Sequence, residues 1–279
     1  MNRRELLISG AGLLASAIGR AAAKPKVGCQ TNGYVIKAGD FPALLAVLDK
    51  LKAIGYTGFE CNTRFVDGQF GRAAGARREI EKTGVEFIGG HYSMKQAQSG
   101  TFGQVAAGLA SLGARAVVMS GSGLSPQGTF EKRAAQNKAK EIEALGKVCS
   151  GHGLRLAYHN HNPEFANHNA EIEALAEFTN PDLVSFLMDA GHGYLGGGNP
   201  AEFMSKHSGR ILGVHDKTFK GQQQVPMGEG DFGFEALAEA IKKTGWSGWI
   251  IDEEGGGTKA GNTAAVETDR QYIRRVFGV

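Results

Sequence analysis

The chain has little cysteine and no strong excess of either charge. Its 279 residues include three cysteines, none of them in a CxxC pair: Cys29, Cys61 and Cys149. This spacing gives no sign of a disulfide framework or of a zinc site built from thiolates, so we expect buried thiols. Lysine and arginine number 31 against 28 aspartates and glutamates. Such a balance provides no strongly basic face, which argues against nucleic acid as a partner.

The sequence also lacks three organisational signals. It has no low-complexity tract, no linker of altered composition and no glycine-rich dinucleotide fingerprint in its first βα unit. These absences argue against disorder, against a second folded domain and against a doubly wound nucleotide-binding sheet. Glycine is abundant instead, with 42 residues, some of them in clusters such as Gly89-Gly90 and Gly196-Gly197-Gly198. Because these clusters follow apolar runs, they indicate turns after strands.

Residues 1–23 differ from the rest of the chain. They combine a basic start at Arg3-Arg4, a moderately apolar stretch and a small-residue end at Ala21-Ala22-Ala23. This pattern predicts a signal peptide of the twin-arginine type, removed on export to the bacterial periplasm. An amphipathic helix docked on the folded domain is the alternative. The apolar stretch is too short and too rich in glycine for a membrane span, so we expect no stable membrane insertion of the mature chain, 24–279.

The mature chain alternates short apolar runs with longer stretches of helical periodicity, which is typical of repeated βα units. The helical stretches place apolar residues at i, i+3, i+4 and i+7 and end in glycine. A last helix is predicted near 263–277. About eight strands, each followed by a helix, favour one closed (β/α)8 TIM barrel. The predicted strands lie near 26–31, 57–61, 85–91, 115–120, 154–160, 183–189, 210–215 and 248–253.

Histidines and carboxylates collect where these apolar runs end. In a parallel barrel the carboxyl ends of the strands converge on one face, where catalytic groups lie. The residues are Glu60, His91, His159, His161, Asp189, His192, His215 and Glu253.

Part of this set has the chemistry of a metal site. Imidazole and carboxylate ligands suit one divalent ion, with Mn, Co, Mg and Zn all open. Since side chains alternate along a strand, both histidines of the HNH segment can face the barrel mouth while Asn160 points away. The predicted ligands are His159, His161, Asp189, His215 and Glu253. Either His159 or His161 could be the ligand from the fifth strand.

Two alternatives stay open at this stage. A salt bridge to an arginine is the competing explanation for Asp189 and Glu253, because a carboxylate after a buried run needs a partner. Asp252 and Glu254 compete with Glu253 for the inward position, because the phase of the strand is uncertain by one residue.

Five segments resemble, in order, those of the sugar phosphate isomerase/epimerase proteins of the xylose isomerase-like TIM barrel superfamily: LAYHNHNPEF, LMDAGHGYLGGGNP, GVHDKTF, VPMGEGDFGFEAL and GWSGWIIDEEGG. The resemblance implies metal ligands at Asp189, His215 and Glu253, and a histidine that contacts substrate at His192. Two departures stand out. His159 occupies the end of the fifth strand, where the epimerase branch has glutamate, and Thr218 replaces a common aspartate.

The resemblance implies a metal-dependent isomerase or epimerase that removes a proton next to the carbonyl of a sugar or keto-sugar. The HNH segment resembles members associated with inosose and keto-sugar chemistry, so a lyase or dehydratase is the first alternative. A non-catalytic carbohydrate-binding barrel ranks lower, and a homo-oligomer is left open. The lack of an arginine cluster favours an unphosphorylated substrate. Predicted catalytic residues are Glu253, His159, His192 and Lys217, and predicted substrate contacts are Glu60, His91, His161 and Glu164.

Overall fold

A computed structural model describes residues 23–121, 124, 130–253 and 263–279. Residues 1–22, nearly all of the predicted signal peptide, lie outside the described residues. Eight strands form a closed parallel barrel in the order β1-β10-β7-β6-β5-β4-β3-β2. Their bounds are β1 Lys26–Gln30, β2 Gly58–Asn62, β3 Glu86–Ser93, β4 Ala116–Ser120, β5 Arg155–His159, β6 Val184–Asp189, β7 Ile211–Asp216 and β10 Trp249–Asp252. The single-domain (β/α)8 prediction is confirmed, with strand bounds within two residues of those expected.

The remaining two strands are β8 Thr218–Lys220 and β9 Gln223–Val225. They pair as an antiparallel hairpin that follows β7 in the chain. The sequence pattern did not predict this hairpin, because three-residue strands are too short to show a period. Just after it, Gly228 has a φ of 94°. This left-handed φ, which glycine adopts readily, belongs to the turn that follows the hairpin.

Helices surround the barrel. They are α1 Phe41–Ile54, α2 Ala73–Thr83, α3 Met94–Ala97, α4 Phe102–Ser111, α5 Lys132–Gly151, α6 Asn162–Phe178, α7 Ala190–Leu195, α8 Pro200–His207, α9 Glu235–Thr244 and α10 Thr263–Phe277. Short 3-10 turns occupy Thr31–Gly33, Thr63–Phe65, Asp67–Arg72 and Ser208–Arg210. Gly55, Gly84 and Gly245 end α1, α2 and α9 in the left-handed conformation that the terminal glycines predicted. Within the described residues, no helix is long and apolar enough to cross a membrane.

Two apolar layers hold the barrel. The larger packs the outer faces of the strands against the helices. The smaller fills the barrel interior with Ile88, Ala116, Val118, Ala157, Leu187, Trp249 and Ile251. Gly58 makes room for the Trp249 indole, since a Cβ there would lie 2.5 Å from the ring. Because this interior is filled with side chains, the polar strand ends form a separate layer above it, at the carboxyl ends of the strands, which we call the barrel mouth.

Candidate active site

Six predicted residues come together at the carboxyl ends of the strands. All six are buried: Glu60 on β2, His91 on β3, His159 on β5, Asp189 on β6, His215 on β7 and Glu253 just after β10. Asp189 and His215 are register neighbours on adjacent strands. The ends of parallel strands thus bring together residues up to 193 positions apart, as the strand-end pattern predicted.

Four of these side chains form a candidate metal site. One ligand atom from each of His159, Asp189, His215 and Glu253 lies within 4.8 Å of the others. A second group, formed by Glu60, His91 and His215, shares His215 with the first. Two imidazoles and two carboxylates suit a divalent ion of the Mn, Co or Zn type.

Lys217 provides the positive charge at this site. Its Nζ lies 2.7 Å from Asp189 Oδ2 and 2.8 Å from Glu253 Oε2. Burial by itself lowers the pKa of Lys217, but the two carboxylates raise it above its usual range. The alternative of a structural salt bridge is thus half correct, because both carboxylates have an ion-pair partner, yet that partner is a lysine and not an arginine.

The two histidines of the cluster differ in charge. Burial lowers the pKa of His159 well below its usual value, and the nearby His215 lowers it further, so His159 is neutral. Burial acts on His215 in the same direction, but Glu60 and Glu253 outweigh it and raise its pKa. His215 Nδ1 lies 2.6 Å from Glu253 Oε2 and its Nε2 lies 3.2 Å from Glu60 Oε1.

The residues present fit a divalent ion. A ligating imidazole must be neutral. His159 already is, whereas His215 would release its proton as the ion binds, because metal binding displaces protons from its ligands. Its Nδ1 is buried and has no hydrogen-bond partner among the described residues. A buried imidazole nitrogen without a partner is costly unless another group completes its environment.

The structure resolves the phase of the last strand. Asp252 is directed to the helix side, where it accepts a 2.7 Å hydrogen bond from the Tyr56 hydroxyl. Glu253 faces the mouth, where Asn32 Nδ2 lies 3.2 Å from its Oε1. Glu254 lies outside the described residues. Of the two described candidates, Glu253 holds the inward position.

His161 lies beside the ligand cluster and not within it. Its ring is 5.1 Å from His159 and 5.0 Å from His192, measured between centroids. Both histidines of HNH therefore line the mouth, but only His159 reaches the group that could hold a metal. The reason is that β5 ends at His159, so His161 already belongs to the turn that leads into α6.

Two predicted substrate contacts lie too deep for that role. Glu60 is fully buried, and its carboxylate contacts His91 and His215. Glu164 is also fully buried. Its Oε1 accepts a 2.7 Å hydrogen bond from the Tyr158 hydroxyl and lies 3.5 Å from the Lys138 ammonium. Its Oε2 accepts a 3.1 Å hydrogen bond from the His161 backbone N–H. These two glutamates therefore support the walls of the site.

His192 lies at the rim of the mouth. Its backbone N–H donates to Asp189 Oδ1 over 2.7 Å, and its Nε2 lies 3.9 Å from Asp189 Oδ2. Its side chain is 20% exposed, compared with 3% for His159 and 0% for His215. Among the histidines around Asp189, His192 is thus the one most open to a substrate.

Sequence reasoning missed four amides. Asn160 points away from the mouth as expected, but there it pairs with the Asp189 backbone, donating over 3.0 Å and accepting over 2.9 Å. Asn162 contacts His192, and Asn32 contacts Glu253. Gln224, on the unpredicted hairpin, donates to the Glu253 carbonyl over 2.7 Å. For Asn160 and Asn162, the signal in the sequence was the pair of asparagines in the HNHN run.

The chain is similar in sequence to a known enzyme. The inosose dehydratase of Lacticaseibacillus casei is 31% identical over an alignment of 176 residues, and the match covers 52% of this chain and 59% of that protein. The chain thus spans less than two thirds of this relative's length.

Two solved structures share the fold. The IOLI protein with a bound zinc atom superposes with a TM-score of 0.73 at 16% identity, covering 91% of this chain and 98% of that one. The 3-keto-D-glucoside 4-epimerase of E. coli superposes with a TM-score of 0.67 at 17% identity, covering 92% and 100%. The model of one family, described as xylose isomerase-like TIM barrel, matches residues 48–276. With this match over most of its length, the chain belongs to the xylose isomerase-like TIM barrel family.

Proposed function

We propose that the protein is a metal-dependent lyase of the dehydratase type, which removes a proton next to the carbonyl of a polyhydroxylated ketone and then releases water. The observation that carries this proposal is the buried cluster of His159, Asp189, His215 and Glu253, with ligand atoms within 4.8 Å. The inosose dehydratase relative supports elimination as the second step.

These four residues would hold the ion. When bound, a divalent metal stabilises the negative charge that develops on carbonyl and adjacent hydroxyl oxygens as the proton leaves. Lys217 donates a hydrogen bond to the departing oxygen from its position between Asp189 and Glu253. His91, oriented by buried Glu60, would accept the proton removed next to the carbonyl and pass it to the departing hydroxyl, which then leaves as water.

Histidine at the end of β5 favours elimination over epimerisation. Inverting a carbon by two bases needs one group that takes the proton from one face and a second group that delivers a proton to the other face, and the epimerase branch of the resemblance has a second glutamate at this strand end. This chain has His159 there. Epimerisation or isomerisation is the second candidate, because Glu253 at the mouth could remove a proton and return it to another carbon.

The substrate we propose is unphosphorylated. Among the described residues, the ion pairs of the cluster involve lysine and histidine only. Recognition of a phosphate usually relies on bidentate arginine. Export to the periplasm, inferred from residues 1–23, agrees with a neutral sugar or keto-glycoside and would be tested by cell fractionation of the full chain.

The first test is metal content. The purified protein should carry about one divalent ion per chain, and Asp189→Ala and His215→Ala should each lose it. His152→Ala, which changes an exposed histidine, is the matched control and should keep the metal. A wild-type protein that stays metal-free under near-stoichiometric Mn²⁺, Co²⁺ or Zn²⁺ would overturn the site.

The second test identifies the reaction. The metal-loaded protein is incubated in D2O with an inosose and, separately, with a 3-keto-D-glucoside. A product lighter by one water supports the dehydratase, whereas a substrate isomer with deuterium next to the carbonyl supports the isomerase or epimerase. Binding without exchange or product would leave only a carbohydrate-binding barrel.

A further inference from the structure

Three asparagines join the loop after β5 to the loop after β6. Asn160 exchanges two hydrogen bonds with the Asp189 backbone. Asn169 does the same with the Asn199 backbone, over 3.2 and 2.8 Å. Between these two pairs, Asn162 contacts the imidazole of His192. The two loops are thus held together along their length, with the His192 contact in the middle.

The backbones of these loops also approach closely. A Cβ on Gly196 would overlap the Asn162 carbonyl, and one on Gly198 would overlap the Phe165 carbonyl. Asn169 holds its place with a left-handed φ of 65°. A contact supported by such close packing leaves the Asn162 side chain little freedom to move away from His192.

The His192 ring is held on several sides. Its backbone N–H is bound by Asp189, and its ring packs 5.6 Å from Phe219 and 5.0 Å from His161, measured between centroids. Its Nδ1 lies 2.6 Å from Asn162 Oδ1. Because an amide oxygen can only accept, Nδ1 must carry the proton. In a neutral imidazole the other nitrogen, Nε2, then has a lone pair.

We propose that Asn162 is a positioning residue that fixes the Nδ1–H tautomer of His192, so that Nε2 acts as an acceptor toward a hydroxyl of the substrate. The tautomer follows from the 2.6 Å contact with the Asn162 amide oxygen, because Asp189 Oδ2, at 3.9 Å, is too far to accept a hydrogen bond from Nε2. The role toward substrate rests on the proposed function. The hydrogen bond at one imidazole nitrogen decides which chemistry the other can perform. Asn162 would thereby make His192 a hydrogen-bond acceptor, and Lys217 would remain the donor to the departing oxygen.

The tautomer can be measured without any substrate. Long-range ¹⁵N–¹H spectra of the ¹⁵N-labelled protein, with His192 assigned from a His192→Gln variant, should show the proton on Nδ1. Asn162→Leu, which keeps the bulk but removes the acceptor, should shift His192 toward the Nε2–H form. Asn162→Asp, which keeps an acceptor oxygen, should retain the Nδ1–H form. An Nε2–H tautomer in the wild type would overturn the proposal.

Activity provides the second readout. On whichever probe the enzyme turns over, an inosose or a 3-keto-D-glucoside, Asn162→Leu should lower kcat by about 10–100-fold with little change in KM, as is typical when the partner of a functional histidine is lost. Asn162→Asp should recover most of that loss.

Asn169→Gly is the matched control. It removes the neighbouring asparagine pair without touching His192, and glycine tolerates the left-handed backbone there. Because it removes part of the loop packing but leaves the Asn162–His192 contact, it should lower kcat less than Asn162→Leu does, and an equal loss in this variant would assign the effect to loop packing and overturn the proposal. If neither probe is turned over, the proposed function fails on its own, while the ¹⁵N spectra still decide the tautomer.

Discussion

At the scale of single residues, the mouth of this barrel depends on one buried lysine that lies between two carboxylates. Lys217 contacts Asp189 and Glu253, and all three are buried. Removing one partner of a buried ion pair usually costs about 3–5 kcal/mol, because the charge left behind has neither water nor a counter-ion.

We therefore predict that Lys217→Met lowers the melting temperature of the EDTA-treated protein, and that a divalent ion raises it more in the variant than in the wild type. The ion would replace the lost positive charge. Thermal unfolding with EDTA and with Mn²⁺ measures both effects. Lys220→Met changes an exposed lysine three positions away and should melt like the wild type. Equal stability of Lys217→Met and wild type in EDTA would contradict this account.

Gly191 allows Lys217 to reach its position. A Cβ on Gly191 would overlap the backbone oxygen of Lys217 and come within 2.6 Å of its Cγ. Because backbone must shift to accept it, we expect Gly191→Ala to reduce the free energy of unfolding by about 1–3 kcal/mol.

Urea unfolding measures this loss, and Gly103→Ala provides the comparison. Gly103 lies in α4 without a positive φ, and a Cβ added there would have no neighbouring atom within 4 Å. Alanine there should be neutral or stabilise by about 0.4–1 kcal/mol, because it reduces the freedom of the unfolded chain. If the two variants unfold at the same urea concentration, the close approach of Gly191 to Lys217 is not a constraint.

At the scale of elements, the strands and helices of the barrel follow their sequence patterns closely, whereas the loops do not. Apolar runs of five or six residues followed by glycines are local signals. They predicted the bounds of β1 to β7 and β10 to within two residues. The hairpin of β8 and β9 and the left-handed run Asn167–Asn169 inside α6 have no such signal. Their conformations depend on contacts with other loops.

The pair α5 and α6 is joined by a buried charge network. Lys138 on α5 lies 2.5 Å from Glu171 Oε1 and 3.5 Å from Glu164 Oε1, and its ammonium lies over the Tyr158 ring at 4.9 Å. Glu171 also accepts from the Leu124 backbone N–H over 2.8 Å. The network thus connects the loop after β4 to the loop after β5.

We predict that Lys138→Met destabilises the protein by about 3–5 kcal/mol, because two buried carboxylates lose their cation. The midpoint of urea denaturation reports the loss. Lys140→Met, on the exposed face of the same helix, should change stability by less than about 0.5 kcal/mol. If Lys138→Met is as stable as Lys140→Met, the network makes no net contribution to the free energy of unfolding.

At the scale of the whole molecule, the three cysteines report on global unfolding. Cys29, Cys61 and Cys149 are fully buried. Burial raises the pKa of Cys61 well above its usual range and that of Cys149 to about 12, so both thiols stay protonated at neutral pH. Since the thiolate is the reactive form, native thiols should be unreactive.

The expected result is that Ellman's reagent modifies the native protein only slowly and titrates three thiols at once in denaturing urea. The number of modified thiols against urea concentration should follow the loss of circular dichroism, because the buried thiols become accessible as the barrel opens. A thiol that reacts quickly in the native protein would show a local opening of the barrel wall.

The sequence by itself determined the barrel, its single domain and the types of residue at the strand ends, because periodicity and strand-end position are local properties of the chain. Only the tertiary structure decided that Glu253 and not Asp252 faces the mouth, and that His159 and not His161 belongs to the candidate ligand group. It also decided that Glu60 and Glu164 are buried in the walls of the site. The physical reason is that orientation, burial and hydrogen-bond partners come from packing between residues far apart in the chain, which local patterns do not contain.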